Sequence, residues 1–386
     1  MSALAVVIES RLTDLVAKGV LASPRAIFDP GGVFDRIVIL TPYDDDLELS
    51  ETMAANGVDL VCHGGRARKP WTLPFVVLRI ARAINEREVS VLRGSNAFLG
   101  SLLGAFAARL AGCASVVWLG GDNRIAQSAQ GCWYYKSRRL TNLIEWMTLR
   151  FVDAVLVPNR FTADYVSRIA GQRVRRKTTI IPWPAGRVPE QESDEPDLSV
   201  LGLLPTDIVV PVIGFVNRYK FSDVVFDALE QGPFWAPEGP VRFVFCGDGD
   251  LRPEGERRFA NRGDVIFTGF RQQDVVRALI RRARVVCIPM SGMVLIEAAS
   301  LGRPVVSSRI EWHSEIIEHD VTGLLVEPTD PNAWRDAISR LLGDPQASAH
   351  MAEKLRARYE SQYAAEVIAV RMREYFQTLA EESHKL

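Results

Sequence analysis

Short runs of apolar, β-branched residues alternate with longer amphipathic stretches, and the alternation occurs twice, interrupted once by an acidic linker. The runs of the first block are Leu4–Ile8, Arg36–Leu40, Asp59–Cys62, Ser90–Leu92, Ser115–Leu119, Ala154–Val157 and Thr178–Ile181. Helices are expected between them, notably over Ala97–Leu110 and Leu140–Phe151. A strand apolar on both faces must be covered on both, which is the condition of a parallel sheet between two helical layers. Around Gly186–Val200 the pattern stops. The stretch from Val188 to Asp197 is acidic, carries two prolines, and buries too little apolar surface to order itself.

The alternation resumes at Ile208–Phe215, Val241–Cys246, Val265–Thr268, Val285–Pro289, Pro304–Ser307 and Gly323–Val326, with a helix expected over Leu295–Leu301. From Ala333 to about Leu379 the pattern is helical throughout. The expected fold class is therefore α/β with two Rossmann-like domains, residues 1–185 and 200–364. The C-terminal helix, 365–386, is expected to complete the first domain. Ligands of such sheets bind beyond the carboxyl ends of the strands, so two domains facing across a cleft are anticipated.

A chain of 386 residues is long enough for two such cores. Its formal net charge of −1 argues against a global electrostatic grip on nucleic acid, and no nucleic-acid partner is expected. The five cysteines are irregularly spaced, which fits buried thiols better than a metal or disulfide framework. The opening Met-Ser-Ala-Leu-Ala-Val-Val-Ile is far shorter than the roughly 20 apolar residues of a membrane span and reads as a buried strand. A cytoplasmic protein is expected, at most touching the cytoplasmic membrane face.

The most informative stretch runs from Val285 to Val306. A strand ends at Pro289, Ser291 and Gly292 form a short loop, and a helix opens near Met293. The unpaired N–H groups of a helix start suit a phosphate, and Gly292 permits close approach to the backbone. Ser291, Gly292, Met293 and Val294 are thus candidates for binding a phosphate. Glu297, one turn further, is a candidate for a ribose diol.

At Leu295-Ile-Glu-Ala-Ala-Ser-Leu-Gly-Arg-Pro-Val-Val306 the sequence resembles the donor-site motif of family 4 of the retaining GT-B glycosyltransferases. The stretch Ser314-Glu-Ile-Ile-Glu-His-Asp-Val-Thr-Gly-Leu-Leu-Val-Glu-Pro328 is similar to that family's next signature. The similarity covers about Ile208 to Gly343 and is weak over the first domain. It implies that Arg218 and Lys220, in Phe215-Val-Asn-Arg-Tyr-Lys220, bind the donor diphosphate and neutralise the departing nucleotide. It further implies that the loop after Val265-Ile-Phe-Thr-Gly-Phe270 holds the nucleobase, with Phe270 and Arg271 as contacts. Phe243-Val-Phe-Cys-Gly-Asp-Gly249 resembles a family strand, and its Gly-Asp-Gly reads as a structural turn.

Departures from the family are specific. Its motif carries two glutamates separated by seven residues; here the first falls at Pro289, and the loop to Glu297 is about four residues shorter than usual. Relatives often present a His from the first domain to the donor sugar. Here Ser115–Leu119 runs into Gly120-Gly-Asp-Asn-Arg124, where Asp122 is the candidate catalytic carboxylate and Gly121 and Asn123 are candidates for acceptor or sugar contacts. His63, before Gly64-Gly65, is a further candidate. His313 reads as a surface or capping residue. Aspartates at Tyr43-Asp-Asp-Asp46 and Asp248-Gly-Asp250 have the look of a GT-A metal site, but two α/β blocks favour GT-B, which needs no metal.

The resemblance implies retaining transfer from a nucleotide-sugar donor to a glycan, lipid-linked or small-molecule hydroxyl, with no cofactor beyond that substrate. A non-catalytic nucleotide-sugar binder, a partner subunit, or a GT-B epimerase shares the fold. Aromatic and basic residues mix over Trp133–Arg139, a composition suited to peripheral membrane contact; 140–151 reads as a core helix.

Overall fold

A computed structural model describes residues 3–9, 11–13, 24–43, 54, 57–64, 70–121, 137–183 and 196–383. The chain divides into two compact units, Met1–Pro184 with Ile368–Leu386, and Ala185–Val367.

The first unit is built on a parallel sheet of β1 (Ala3–Val7), β2 (Arg36–Thr41), β3 (Val58–Cys62), β4 (Val89–Ser95), β5 (Ala114–Trp118), β6 (Ala154–Val157) and β7 (Thr178–Ile180). Its order is β3-β2-β1-β4-β5-β6-β7. All of β1 is buried. Side chains alternate across a strand, so Ala3, Ala5 and Val7 face one layer while Leu4 and Val6 face the other. The first layer contains helices α1 (Leu73–Glu86), α2 (Leu99–Ala111) and α3 (Arg138–Phe151). The opposite layer includes the C-terminal helix, Ala365–Ser383. Its Ile368, Met372, Phe376 and Leu379, spaced for one helical face, are buried against Leu4, Val6, Ile37 and Ile39. Gly31 lies so close to this helix that a β-carbon there would press on the Arg373 backbone.

The second unit has β8 (Ile208–Ile213), β9 (Trp235–Ala236), β10 (Gly239–Cys246), β11 (Val265–Gly269), β12 (Val286–Ile288), β13 (Val305–Ser308) and β14 (Leu324–Val326). The parallel order is β11-β10-β8-β12-β13-β14, with the two-residue β9 antiparallel on β10. Here too one strand feeds two cores: Phe243 and Phe245 of β10 join one, Val244 and Cys246 the other. Helix α4 (Gln273–Arg282) follows β11 and helix α5 (Gly292–Ser300) follows β12.

Most element ends shift by a residue or two from the sequence expectation, and two of the differences bear on the site. The strand expected to reach Phe215 stops at Ile213, because Gly214 takes φ +134°, outside the range of a β-strand. The helix expected from Leu295 opens at Gly292, so the Ser291–Val294 loop is a cap and a first turn.

In both sheets the strand order reverses beside the first strand, between β1 and β4 and between β8 and β12. Such a switch point leaves a crevice at the carboxyl edge, where the two flanking loops diverge.

Candidate active site

At the second unit's switch point, the loop leaving β8 is held down by its own residues. Asn217 Oδ1 accepts from the Lys220 backbone N–H at 2.9 Å, and Ser222 Oγ accepts from the Asn217 N–H at 3.1 Å. The neighbouring turn after β10 grips the same loop: the Val216 N–H donates to the Asp248 carbonyl at 3.0 Å. Side chains at Gly247 and Gly249 would collide with the carbonyls of Gly214 and Val216, which accounts for Gly-Asp-Gly as a structural turn. Asp248 itself accepts from the Gly249 N–H at 2.8 Å and lies 3.5 Å from Arg252.

This loop turns Lys220 inward and Arg218 outward. Lys220 lines a small recess with Gly214, Ser222, Phe245, Pro289 and Met290. Burial lowers its pKa, and the Glu311 carboxylate opposes that shift. Arg218 is 76% exposed and lies 3.6 Å from Asp223.

Across the switch point, Ser291 is the extended N-cap residue of α5, and its side chain makes no cap bond. The N–H groups that open α5 therefore have no intrahelical partner and carry the helix's partial positive charge. Gly292 is sterically required, since any β-carbon would run into the Trp312 indole. Met293 is exposed and Val294 buried. Glu297, half-buried, accepts a hydrogen bond from Gln273 Nε2. Burial raises its pKa; Arg277 and Gln273 pull it the other way. Both partners lie on α4, which begins just after Phe270 and Arg271. Phe270 is 74% exposed, and Arg271 is exposed beside it.

Three residues that sequence reasoning missed complete this edge. Glu311 has a left-handed backbone, φ +44°, rare for a residue with a side chain. Trp312 covers Gly292. His313, read as a surface or capping residue, is instead 1% exposed, its Nδ1 2.8 Å from Ser307 Oγ and 3.2 Å from the Ser308 carbonyl. Burial lowers its pKa to about 4, the Ser308 carbonyl opposing and the charge of Lys220 adding to the fall. The only sequence signal was Trp312-His313 beside a strand end.

The first unit's candidates are scattered by comparison. Gly121 follows β5, and the preceding Gly120 N–H donates to Asn96 Oδ1 at 3.3 Å. Asp122 and Asn123 lie outside the described residues, as do Asp44, Asp45 and Asp46. His63 follows the edge strand β3, two strands from β1, and is 5% exposed. Neither ring nitrogen has a hydrogen-bond partner among the described residues. Burial lowers its pKa to about 4, and Arg79 adds to the shift. At this unit's own switch point, a Glu9 carboxylate oxygen accepts from the Gly100 N–H at the start of α2. Among the described residues no group of three His, Cys, Asp or Glu side chains is arranged to hold a metal ion.

Two parallel-sheet units of like strand order, one with a lysine opposite an open helix start, define the two-domain GT-B class of fold. The likeness to solved structures agrees: the Anabaena protein Alr3699/HepE in complex with UDP superposes with a TM-score of 0.75 at 18% identity, covering 98% of this chain and 100% of that one. Sucrose-phosphate synthase of Thermosynechococcus elongatus gives 0.71 at 18%, over 99% and 100% of the two chains. At such identities these likenesses establish the fold. Residues 210–344 match the family model of glycosyl transferases group 1.

Relatives include the alpha-D-kanosaminyltransferase of Streptomyces kanamyceticus, 31% identical over 37% of this chain and 39% of that protein. The O-antigen chain mannosyltransferase C of Escherichia coli is 27% identical over 60% of this chain and 63% of its own length. The matched stretch spans about two fifths of the length of the first two curated relatives, 39% and 41%.

Proposed function

We propose that this protein is a glycosyltransferase that moves a sugar from a nucleoside-diphosphate donor to a hydroxyl of a glycan, lipid-linked or small-molecule acceptor. The observation that carries this reading is Lys220, turned into the recess opposite the glycine-opened start of α5. A fixed cation and a helix N-terminus at a switch point suit a diphosphate. Both stabilise the charge that develops as the nucleotide departs.

Glu297 takes the ribose diol, with Gln273 and Arg277 orienting its carboxylate. Phe270 and Arg271 contact the base, and Arg218 swings from Asp223 to the outer phosphate. The donor sugar rests near Pro289 and Met290, where the usual first glutamate is replaced. Gly121, Asp122, Asn123 and His63 are the first unit's candidates for contact with the acceptor. Transfer retains anomeric configuration: the acceptor attacks the face the nucleotide leaves, and a donor phosphate oxygen takes its proton. With cations of the chain itself on the diphosphate, no metal is needed.

UDP is the first probe, since the Anabaena protein is described with UDP, glucose and UDP-glucose. Thermal unfolding with UDP, UDP-glucose and guanosine-diphosphate sugars reads donor binding directly, because a ligand of the native state raises its melting temperature. A rise with one nucleotide class, lost in Lys220→Ala, is the expected result. No rise with any nucleotide sugar, or a rise indifferent to Lys220, overturns the assignment.

A further inference from the structure

The layer formed by α1, α2 and α3 has an outer surface unlike that of an ordinary water-facing helical layer. The three helices pack side by side, α1 on α2 and α2 on α3; inner residues of α1 and α2 fill the core over Ala3, Ala5 and Val7, and Leu149 of α3 packs with Val117 and Val155. Their outer sides carry large apolar groups: Trp71, just ahead of α1, and Phe75 are each 68% exposed, Leu110 65%, Leu78 58% and Leu143 51%. Between α1 and α2, Leu78 and Leu110 line an apolar groove with Pro74, Val77 and Phe106, and Arg109 is its one charged lining residue. Phe106 of α2 reaches Phe151 of α3, ring centroids 4.9 Å apart, so the apolar surface continues across the layer.

Its charges are one-sided. The three helices contain six arginines, two glutamates and neither lysine nor aspartate. Glu145 is buried against the Tyr165 hydroxyl, and Glu86 is held by Arg82 at 2.6 Å. Arg79, Arg109, Arg138, Arg139 and Arg150 are all exposed, and Arg150 lies 5.1 Å from the Trp146 ring centroid. The whole chain has a net charge of −1, so this basic character is local.

Soluble helices usually expose mixed charge with few large apolar groups. Exposed Trp, Phe and Leu set among arginines complement a surface with acyl chains beneath anionic phosphates. We propose that the α1–α3 layer docks the protein on an anionic phospholipid bilayer. Phe75, Leu78 and Leu110 enter the headgroup boundary, and Arg109, Arg138, Arg139 and Arg150 meet the phosphates. Among the described residues no helix is long and apolar enough to cross a membrane, so the contact lies on the bilayer. It does not depend on the transfer reaction.

Co-sedimentation of the full chain with extruded vesicles of phosphatidylcholine, alone or mixed equally with phosphatidylglycerol, tests this. Binding is expected only to the mixed vesicles and is weakened by salt. Each arginine removed costs about fivefold in partitioning, so Arg109→Ala, Arg139→Ala and Arg150→Ala together cost about a hundredfold. The corresponding Lys variants retain binding, and unchanged thermal melts show that all of them fold. Phe75→Ser with Leu78→Ser weakens binding without altering its salt dependence. No binding, equal binding to both vesicles, or an alanine triple variant that binds like the parent overturns the proposal. So does a concentration-dependent dimer, abolished by the Phe75 and Leu78 changes, in a chain that ignores vesicles; that result gives the face to a second copy.

Discussion

The two units share a strand order and differ in what fills the crevice it creates. Between β8 and β12 a helix start stands open: the Ser291 side chain makes no cap bond, and Lys220 lines the recess beside it. Between β1 and β4 the corresponding helix start, at Gly100, already holds a carboxylate, that of Glu9. A helix N-terminus attracts one anion well. Where the chain supplies that anion, the end is satisfied and acts as a structural cap; where it supplies a cation nearby, the end stays available to a ligand. The same topology thus yields a capped helix start in one unit and an uncapped one, the proposed phosphate site, in the other.

The comparison is broken most decisively at Lys220. Lys220→Ala is expected to lower kcat/KM for transfer by about 10²–10³-fold, the cost of removing a preorganised charge from a departing phosphate. Parent-like kinetics would mean the second crevice is no more a phosphate site than the first. A second expectation treats the two units alike. His63 and His313, one in each, are buried with proton affinities near pH 4 against an ordinary 6.5. The unfolded chain binds their protons first, so their contribution is full above about pH 6.5 and is lost as pH falls toward 4. Each accounts for up to about 3 kcal/mol. Urea titrations at pH 7 and 4.5 should show that loss; a flat profile would mean the imidazoles are not enclosed.

Glu297→Ala should weaken UDP binding by about 10–100-fold, on the scale of hydrogen bonds to a charged group. Calorimetry on both nucleoside and free diphosphate locates the loss: an effect on diphosphate alone would move Glu297 off the ribose. The smallest effect belongs to the first crevice. Glu9→Ala should cost about 1 kcal/mol of stability, as lost helix caps do, and leave UDP affinity unchanged. A fall in UDP affinity would merge the two sites that this comparison separates.

Much of this fold is legible in the sequence because each sheet is buried on both faces. Ala154–Val157 is apolar throughout and is β6 residue for residue. That Gly292 opens a helix after a strand, with Glu297 about a turn further on, was legible from the strand, the glycine and the helical spacing together. Glu9 was not, since its partner Gly100 lies ninety-one residues away in sequence. His313 was not, because the burial of its ring depends on the turn after β13 folding it back onto Ser307 and Ser308 at that strand's end. β9 has two residues and pairs only through its turn, too short to register a period.

The C-terminal helix gives the order of residues a consequence in time. A ribosome makes the first sheet early, yet Phe376 and Leu379, which close one face of it, emerge after the entire second unit. At the usual 5–20 residues per second, the interval from Pro184 to Leu379 is about 10–40 s. During it the first-made sheet lacks part of the cover on one side, while the unit begun later already has all of its strands. The N-terminal half is thus the last to be finished, and a chain cut short after residue 364 would lose the stability of its beginning.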